Sequence, residues 1–231
     1  MKNRLRRNPA GLHLGLMLAL TFSTGIVDAV GYLGLDKVFT GNMTGNVVIL
    51  GMALTGADDL PIIGPIIALV LFMLGAAIAG RVLRPVAAGW SGRSTTLFTV
   101  VGAVLIAAAL TALFGPGTRP EWLNFSITGA LGHAMGLQAG AARHIGVKDV
   151  TTVVVTSTLV GLAFDSKFAG GGKQPWKRRA GAVFLIGAGA AVGALLLHVH
   201  IGLGMLVAAV ITLVAALLGH IGRPHTQRTT E

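Results

Sequence analysis

One acidic residue stands inside the first long apolar stretch of the chain. Asp28 lies about two-thirds of the way along residues 12–35, and a helix needs roughly 20 apolar residues to cross a bilayer. A carboxylate at that depth is costly, commonly faces the bundle interior, and by default marks a functional site. Tyr32 follows one turn later on the same helical face. Asp28 is therefore a candidate carrier of a proton or a cation, the alternative being a hydrogen-bonded structural carboxyl near the outer interface.

A second candidate is the string TGNMTGN at residues 40–46. Thr40 and Thr44, like Asn42 and Asn46, are i, i+4 pairs, and the intervening glycines allow close backbone approach. Short or irregular helical backbone at membrane depth is tolerated only where it is buried in protein or lines a water-filled cavity. The ends of such a short helix present free N–H or C=O groups that can bind ions or polar solutes. The string therefore predicts part of a solute path, the alternative being a helix-packing motif.

The second half of the chain resembles the first. Residues 34–50 align without a gap on residues 146–162, with six of 17 positions identical, where composition alone would give about two. Gln138, Thr152 and Thr156 are the corresponding polar candidates. Upstream, after a one-residue slip, residues 24–29 align with residues 135–140, which pairs Gly25 with Gly136 and Asp28 with Ala139. The second half therefore has no acid in place of Asp28, and the predicted site is asymmetric. We expect a single membrane domain over residues 1–231, with one repeat at 12–114 and the other at 122–219.

The composition excludes most soluble proteins. Hydrophobic residues make up 53% of the chain and charged residues 11%, against about 25% charged in an ordinary globular protein. The net charge of +10 comes from short basic clusters between long apolar runs, which is not a nucleic-acid-binding pattern. With no Cys, no Ser–His–Asp order, no phosphate loop and no HExxH, we expect no enzyme activity, no cofactor and no metal site.

The distribution of Lys and Arg predicts the topology. Two stretches, 38–54 and 150–166, are shorter and more polar than the others, so they either cross the membrane or re-enter on one side. If both re-enter, sixteen of the eighteen basic residues lie on the cytoplasmic side; if both cross, the split is twelve against six. The prediction is an all-α integral membrane protein with six transmembrane helices and two re-entrant half-helices, arranged as two inverted-topology repeats with both termini cytoplasmic. The six spans are expected at 12–35, 61–80, 95–114, 122–142, 180–198 and 201–219.

Two motifs carry a resemblance to a known family. TFSTGIVDAVGYLGLDKVFTGNMTGNVVILGMAL at residues 21–54 and GLQAGAARHIGVKDVTTVVVTSTLVGLAFD at residues 136–165 resemble the YoaK-type family of small bacterial inner-membrane proteins, a domain of unknown function. The resemblance covers nearly the whole chain. It departs at Ala139 and Gly140, where similar proteins commonly read GLQNA. It implies a multi-pass protein of the bacterial inner membrane and no established substrate.

The residues favour a transporter or channel for a small polar solute or ion, with proton coupling through Asp28 as one option. The expected path is lined by Asp28 and Tyr32, by Thr40, Asn42, Thr44 and Asn46 in one half, and by Gln138, Thr152 and Thr156 in the other. The alternative is a membrane scaffold or regulator that binds a partner or anionic lipid through its basic loop, residues 166–179. Asp165 beside that loop is expected to be a solvated charge, the alternatives being a cap of the second re-entrant segment or an ion pair with Lys167. Glycine-rich helix faces serve either a homodimer or packing within one chain.

Overall fold

A computed structural model describes residues 8–57, 59–116, 119–147, 152 and 155–223. Residues 1–7 and 224–231 and part of the predicted stretch 150–166 lie outside these residues. The described residues form eight α-helices and one short 3-10 helix, Lys167–Ala169. The helices are α1 (Pro9–Gly34), α2 (Met43–Leu54), α3 (Ile63–Leu83), α4 (Gly92–Phe114), α5 (Glu121–Ile145), α6 (Thr156–Phe164), α7 (Trp176–Leu197) and α8 (Ile201–Gly222).

Six of these helices are long, and each coincides with one of the six apolar stretches of the sequence. Five of them, α1, α3, α4, α7 and α8, are long and apolar enough to cross a membrane. On α3, α7 and α8, large apolar side chains such as Met73, Phe184 and Val210 point outward and are 58–72% exposed. An apolar outer surface of this extent suits contact with lipid. The chain is thus a multi-pass membrane protein, and all regular secondary structure among its described residues is helical.

The remaining long helix, α5, is less apolar than the other five. It carries polar residues along its length, including Asn124, His133 and Gln138. Its neighbours cover it, so 14 of its 25 residues are buried, against four of 22 in α7. A helix so covered needs few apolar residues, because its surface meets protein rather than lipid.

Two close helix crossings organise the bundle. At the first, Gly25 of α1 lies against the carbonyl of Ile186 in α7, and Gly189 of α7 lies against the carbonyl of Phe22. Further along, Gly193 meets Ile26, so α1 and α7 run parallel. A side chain at either crossing glycine would meet backbone atoms of the other helix, so only glycine permits this approach.

The second crossing joins α3 and α5 in the same manner. Gly75 lies against the carbonyl of His133, and Gly136 lies against the carbonyl of Phe72. Gly132 and Gly140 contact Ala68, Ala76 and Ala79 on either side, so these two helices also run parallel. The glycine ridge of α5 therefore packs within the chain. The homodimer stays a prediction.

α4 and α8 pack antiparallel and close the bundle. Gly202 near the start of α8 meets Ala109 late in α4, whereas Gly219 near its end meets Trp90 just before α4. α4 and α8 enclose a fully buried core together with α1 and α5. Its largest side chains are Met17, Leu20, Phe98, Leu105, Leu131, Met135 and Met205.

The two ends of the bundle differ in charge. Near one end, the ring of His13 lies 5.9 Å from that of Trp90, and Gly89 donates from its amide to the carbonyl of His144 at 3.3 Å. At the other end Arg119 donates to the carbonyl of Gly34 at 3.2 Å. The first end, here called the basic end, holds ten of the twelve described Lys and Arg residues: Arg81, Arg84, Arg93, Arg143, Lys167, Lys173, Lys177, Arg178, Arg179 and Arg223. Only Lys37 and Arg119 lie at the opposite end.

Candidate functional site

The Asp28 carboxylate holds the backbone that leads into the short helix α2. Its Oδ1 atom accepts hydrogen bonds from the backbone amides of Thr40 at 2.9 Å, Gly41 at 2.6 Å and Asn42 at 3.4 Å. The positive end of the α2 dipole also faces this carboxylate. No described backbone amide donates to Oδ2. One oxygen therefore anchors the loop and the other stays available.

Two asparagines of the TGNMTGN string build the start of α2. Asn42 is its N-cap, with the side-chain oxygen accepting from the Gly45 amide at 3.3 Å. Asn46, one turn later, clamps the main chain of Phe39: its Oδ1 accepts from the Phe39 amide at 2.9 Å and its Nδ2 donates to the Phe39 carbonyl at 2.6 Å. The string thus encodes a loop and a helix start that are held by side chains.

A cavity of about 630 Å³ opens beside Asp28 and contacts five helices. Two short helices begin at its wall: Asn42, Met43 and Thr44 from the start of α2, and Val155 and Thr156 from the start of α6. α6 has no side-chain N-cap among the described residues. The two halves of the chain thus contribute helix N-termini, with their partial positive charge, to one cavity.

Five of the nine residues predicted to line a path do line this cavity: Asp28, Tyr32, Asn42, Thr44 and Thr156. The apolar part of the wall was not predicted. It includes Phe39, Phe72 and Ile186, with Tyr32 and Phe39 stacked at 4.8 Å between ring centroids. Phe72 and Ile186 are apolar residues in apolar helices, so no sequence signal distinguishes them from lipid-facing neighbours.

The other four predicted residues are buried near the cavity or away from it. Thr40 is buried beside Asp28, to which its amide donates, and Asn46 is turned toward Phe39. Thr152 is 3% exposed, has a positive φ of 58°, and its hydroxyl has no partner among the described residues. None of these three is part of the cavity wall, and neither is Gln138.

Gln138 instead joins the two halves of the chain in the core. Its Nε2 donates to the Thr24 hydroxyl at 2.9 Å, and that hydroxyl donates to the Leu20 carbonyl at 3.0 Å. Because the Thr24 proton is already used, Thr24 can only accept from Gln138, which fixes the orientation of the amide. The Gln138 Oε1 atom is buried without a partner in the described chain. Gln138 thus contacts Thr24, whose methyl group lies against Gly41.

Comparison with known proteins places the chain in a family. The family described as "Protein of unknown function (DUF1275)" matches residues 16–218. The chain belongs to this family. It is also 30% identical over 151 residues to a Bacillus subtilis (strain 168) protein named UPF0700 transmembrane protein YoaK. The match spans 65% of this chain and 65% of the relative's length. No solved structure matches.

The family match confirms the resemblance inferred from the two motifs. It covers both the VDA and NMTGN string of the first half and the GLQ and TLVGL strings of the second. The name of the relative describes a transmembrane protein, which agrees with the multi-pass helical fold. Neither description states a substrate.

The basic segment, residues 166–179, contains a contact that the spacing of its residues did not predict. Asp165 pairs with Arg179 at 2.6 Å while 44% of its side chain stays exposed, so this charge is partly solvated, as expected, and also paired. The same Nη1 atom of Arg179 lies 2.8 Å from the carbonyl of Gly161 and 3.1 Å from Oε1 of Gln174. Fourteen residues separate the pair, but the start of α7 returns to the end of α6. Arg179 therefore fixes α6 to α7 at the basic end.

Replacing Asn46 by Leu is expected to destabilise the loop before α2. The buried amide and carbonyl of Phe39 would lose their partners, and each unsatisfied group costs about 1–3 kcal/mol. The melting temperature of the purified protein in detergent should fall, whereas Val47→Leu, on the exposed side of α2, should leave it nearly unchanged. Equal melting temperatures for the two variants would show that the clamp contributes nothing.

Proposed function

We propose that this protein is a transporter or channel for a small polar solute or ion, with the Asp28 cavity as its binding site. The observation that carries the proposal is the meeting of an intramembrane carboxylate with the N-termini of two short helices, one from each half. Discontinuous helices whose N-termini face a midplane site are a recurring feature of secondary transporters. In this proposal Asp28 carries the proton or cation, and Asn42, Thr44 and Thr156 offer polar groups to the solute.

The re-entrant path of α2 is supported by contacts on both sides of that helix. Lys37, before α2, donates to the carbonyl of Asp59, after it, at 2.7 Å. Val38 likewise lies against Gly64 at the start of α3. The chain therefore leaves and returns at one end of the bundle, while the start of α2 lies at the depth of Asp28, about 9 Å along α1 from its end. A half-helix that dips in and returns accounts for these contacts.

The second short helix, α6, has corresponding contacts at the opposite, basic end. Its last turn meets the start of α7 through Arg179, and α5 ends near Ala87, which His144 contacts at 3.1 Å. α5 ends and α7 begins at the basic end, while Thr156 at the start of α6 reaches the cavity. The two half-helices approach the cavity from opposite ends of the bundle.

An inverted repeat accounts for the two glycine crossings. In the sequence alignment Gly25 corresponds to Gly136, and these are the residues of α1 and α5 at the crossings. Their partners, Gly189 and Gly75, lie on α7 and α3, the helices that correspond in the two halves. α1 and α5 run in opposite directions, as an inverted repeat requires. This arrangement makes α5 a sixth crossing, shielded from lipid.

The charge of the two ends supports an orientation. The positive-inside rule assigns the end rich in Lys and Arg to the cytoplasm. Since α1 begins and α8 ends at the basic end, we propose that both termini are cytoplasmic and that the membrane is the bacterial inner membrane.

A second candidate function is a scaffold or regulator that acts through the basic segment. A polar hollow of about 330 Å³ at the basic end is lined by Lys173, Arg178 and Arg179 among others. Such a hollow suits an anionic lipid headgroup or an acidic partner. A scaffold or regulator needs no water in the Asp28 cavity, whereas a transporter or channel does. Water access to the cavity therefore distinguishes the two functions.

Water access to Thr156 separates the two candidates. The chain has no Cys, so Thr156→Cys introduces a single thiol on the proposed solute path. In sealed vesicles, a charged, membrane-impermeant maleimide should label this thiol from at least one side. The matched controls are Ala134→Cys, fully buried in the core, and Val210→Cys, on the outer face of α8. Neither control should react with the reagent.

Labelling of position 156 alone would support an aqueous path to the cavity. An unreactive thiol at 156, in a variant that denaturation then makes reactive, would overturn the transport proposal. The basic segment would then be the basis of the function.

A further inference from the structure

The charge of the cavity wall bears on the chemical class of the solute. Among the described residues that line it, Asp28 is the one ionisable acid or base apart from the Tyr32 phenol. No described Lys, Arg or His lines the wall to neutralise the carboxylate. Three backbone amides directed at Oδ1 and the partial positive charges at the starts of α2 and α6 compensate the carboxylate in part. A wall whose described residues include one carboxylate and no cationic side chain favours a positively charged occupant over an anion.

The free oxygen of Asp28 is the contact that such a cation would make. Oδ1 already accepts three backbone hydrogen bonds, whereas no described backbone amide donates to Oδ2. An N–H group of an ammonium ion could bond to Oδ2 without disturbing the loop. A quaternary ammonium ion, which has no N–H, would be held by charge alone.

The rest of the wall distinguishes an organic cation from a metal ion. Small inorganic cations need about six oxygen ligands within bonding distance, from a converging set of carboxylates, carbonyls and waters. Here one carboxylate faces the rings of Tyr32, Phe39 and Phe72 and the aliphatic side chains of Val48, Ile49 and Ile186. Aromatic faces attract ammonium groups electrostatically, and aliphatic carbon packs against alkyl substituents.

We propose that the solute is a small organic cation, an amine or quaternary ammonium with an apolar body. The inference rests on the proposed function and specifies the substrate class of that same site. The carboxylate of Asp28 neutralises the cationic head, the stacked Tyr32 and Phe39 with Phe72 surround its alkyl groups, and Asn42 and Thr44 contact a polar substituent. A cavity of about 630 Å³ holds a cation of this size together with water.

Choline and its neutral isostere 3,3-dimethyl-1-butanol test the charge requirement directly. The two have the same shape, because a carbon atom replaces the quaternary nitrogen. Titrated into purified protein, choline should raise the melting temperature in a saturable manner by binding the folded state, and the isostere should not. Asp28→Asn should weaken choline binding at least tenfold.

Aromatic variants test the second half of the inference. Phe72→Leu removes a ring from the cavity and should weaken choline binding by roughly 2-fold to 30-fold, the range that cation–π contacts supply. Phe184→Leu removes a ring from the lipid-facing side of α7 and should leave the affinity unchanged.

Equal binding of the isostere, binding of acetate in place of choline, or no binding of choline would each overturn the organic-cation inference. Failure of the transport proposal is read separately, from the thiol at position 156, because that labelling requires no substrate. A labelled thiol with no choline binding would leave a path for another solute class.

Discussion

Asp28→Asn is expected to reduce solute uptake at least tenfold while the protein keeps its fold. The asparagine Oδ1 can accept the same three bonds from the amides of Thr40, Gly41 and Asn42. The substitution therefore removes the negative charge and preserves the anchor of the loop. Uptake by reconstituted vesicles and the melting temperature in detergent are the two measurements.

Asp28→Ala separates the two roles of this side chain. Without an acceptor, the buried amides of Thr40 and Gly41 lose their partner, and two unsatisfied donors correspond to about 2–6 kcal/mol of stability. The Ala variant should therefore melt well below the Asn variant, although both lack the charge. If the Asn variant is as unstable as the Ala variant, or takes up solute at the normal rate, Asp28 has only a structural role.

Gly25→Ala and Gly189→Ala are expected to destabilise the crossing of α1 and α7. The new methyl group would meet the carbonyl of Ile186 or of Phe22, so the two helices would have to separate. Overpacking of this kind costs about 1–3 kcal/mol, more than the helix propensity gained by replacing Gly with Ala, about 0.5–1 kcal/mol. Melting temperatures in detergent should fall for both variants.

The same two helices supply matched controls. Gly15 of α1 and Gly187 of α7 have open space where a side chain would lie. Gly15→Ala and Gly187→Ala should therefore keep or slightly raise the melting temperature. If all four variants lose stability alike, the loss comes from replacing a helical glycine in general, and the close crossing is not its cause.

The sequence predicted the helices of this protein well because lipid imposes a simple rule on their length and composition. Each of the six apolar stretches became a long helix, and the two polar, glycine-rich stretches contain the short helices α2 and α6. Asp28 and the NMTGN string were found for the same reason: polar residues stand out against an apolar background. The repeat alignment also paired Gly25 with Gly136, which lie at the two crossings.

The sequence could not predict which side chains face the cavity. Asn42 and Asn46 share a helical spacing, yet Asn42 lines the cavity while Asn46 turns to the main chain of Phe39. That difference depends on how the preceding loop folds back. Phe72 and Ile186 lie on helices distant in the chain, and their apolar character gives no contrast with lipid-facing residues. The Asp165–Arg179 pair depends likewise on the return of α7 to the end of α6.

Solute uptake by proteoliposomes tests the central claim, transport through the Asp28 cavity, most directly. Vesicles containing the wild-type protein, the Asp28→Asn variant or no protein would be incubated with radiolabelled choline, alanine, acetate or rubidium. The account predicts uptake of choline by the wild-type vesicles, and background uptake by the Asp28→Asn vesicles. Background uptake of every solute by correctly inserted wild-type protein, or uptake that persists in the Asn variant, would contradict it.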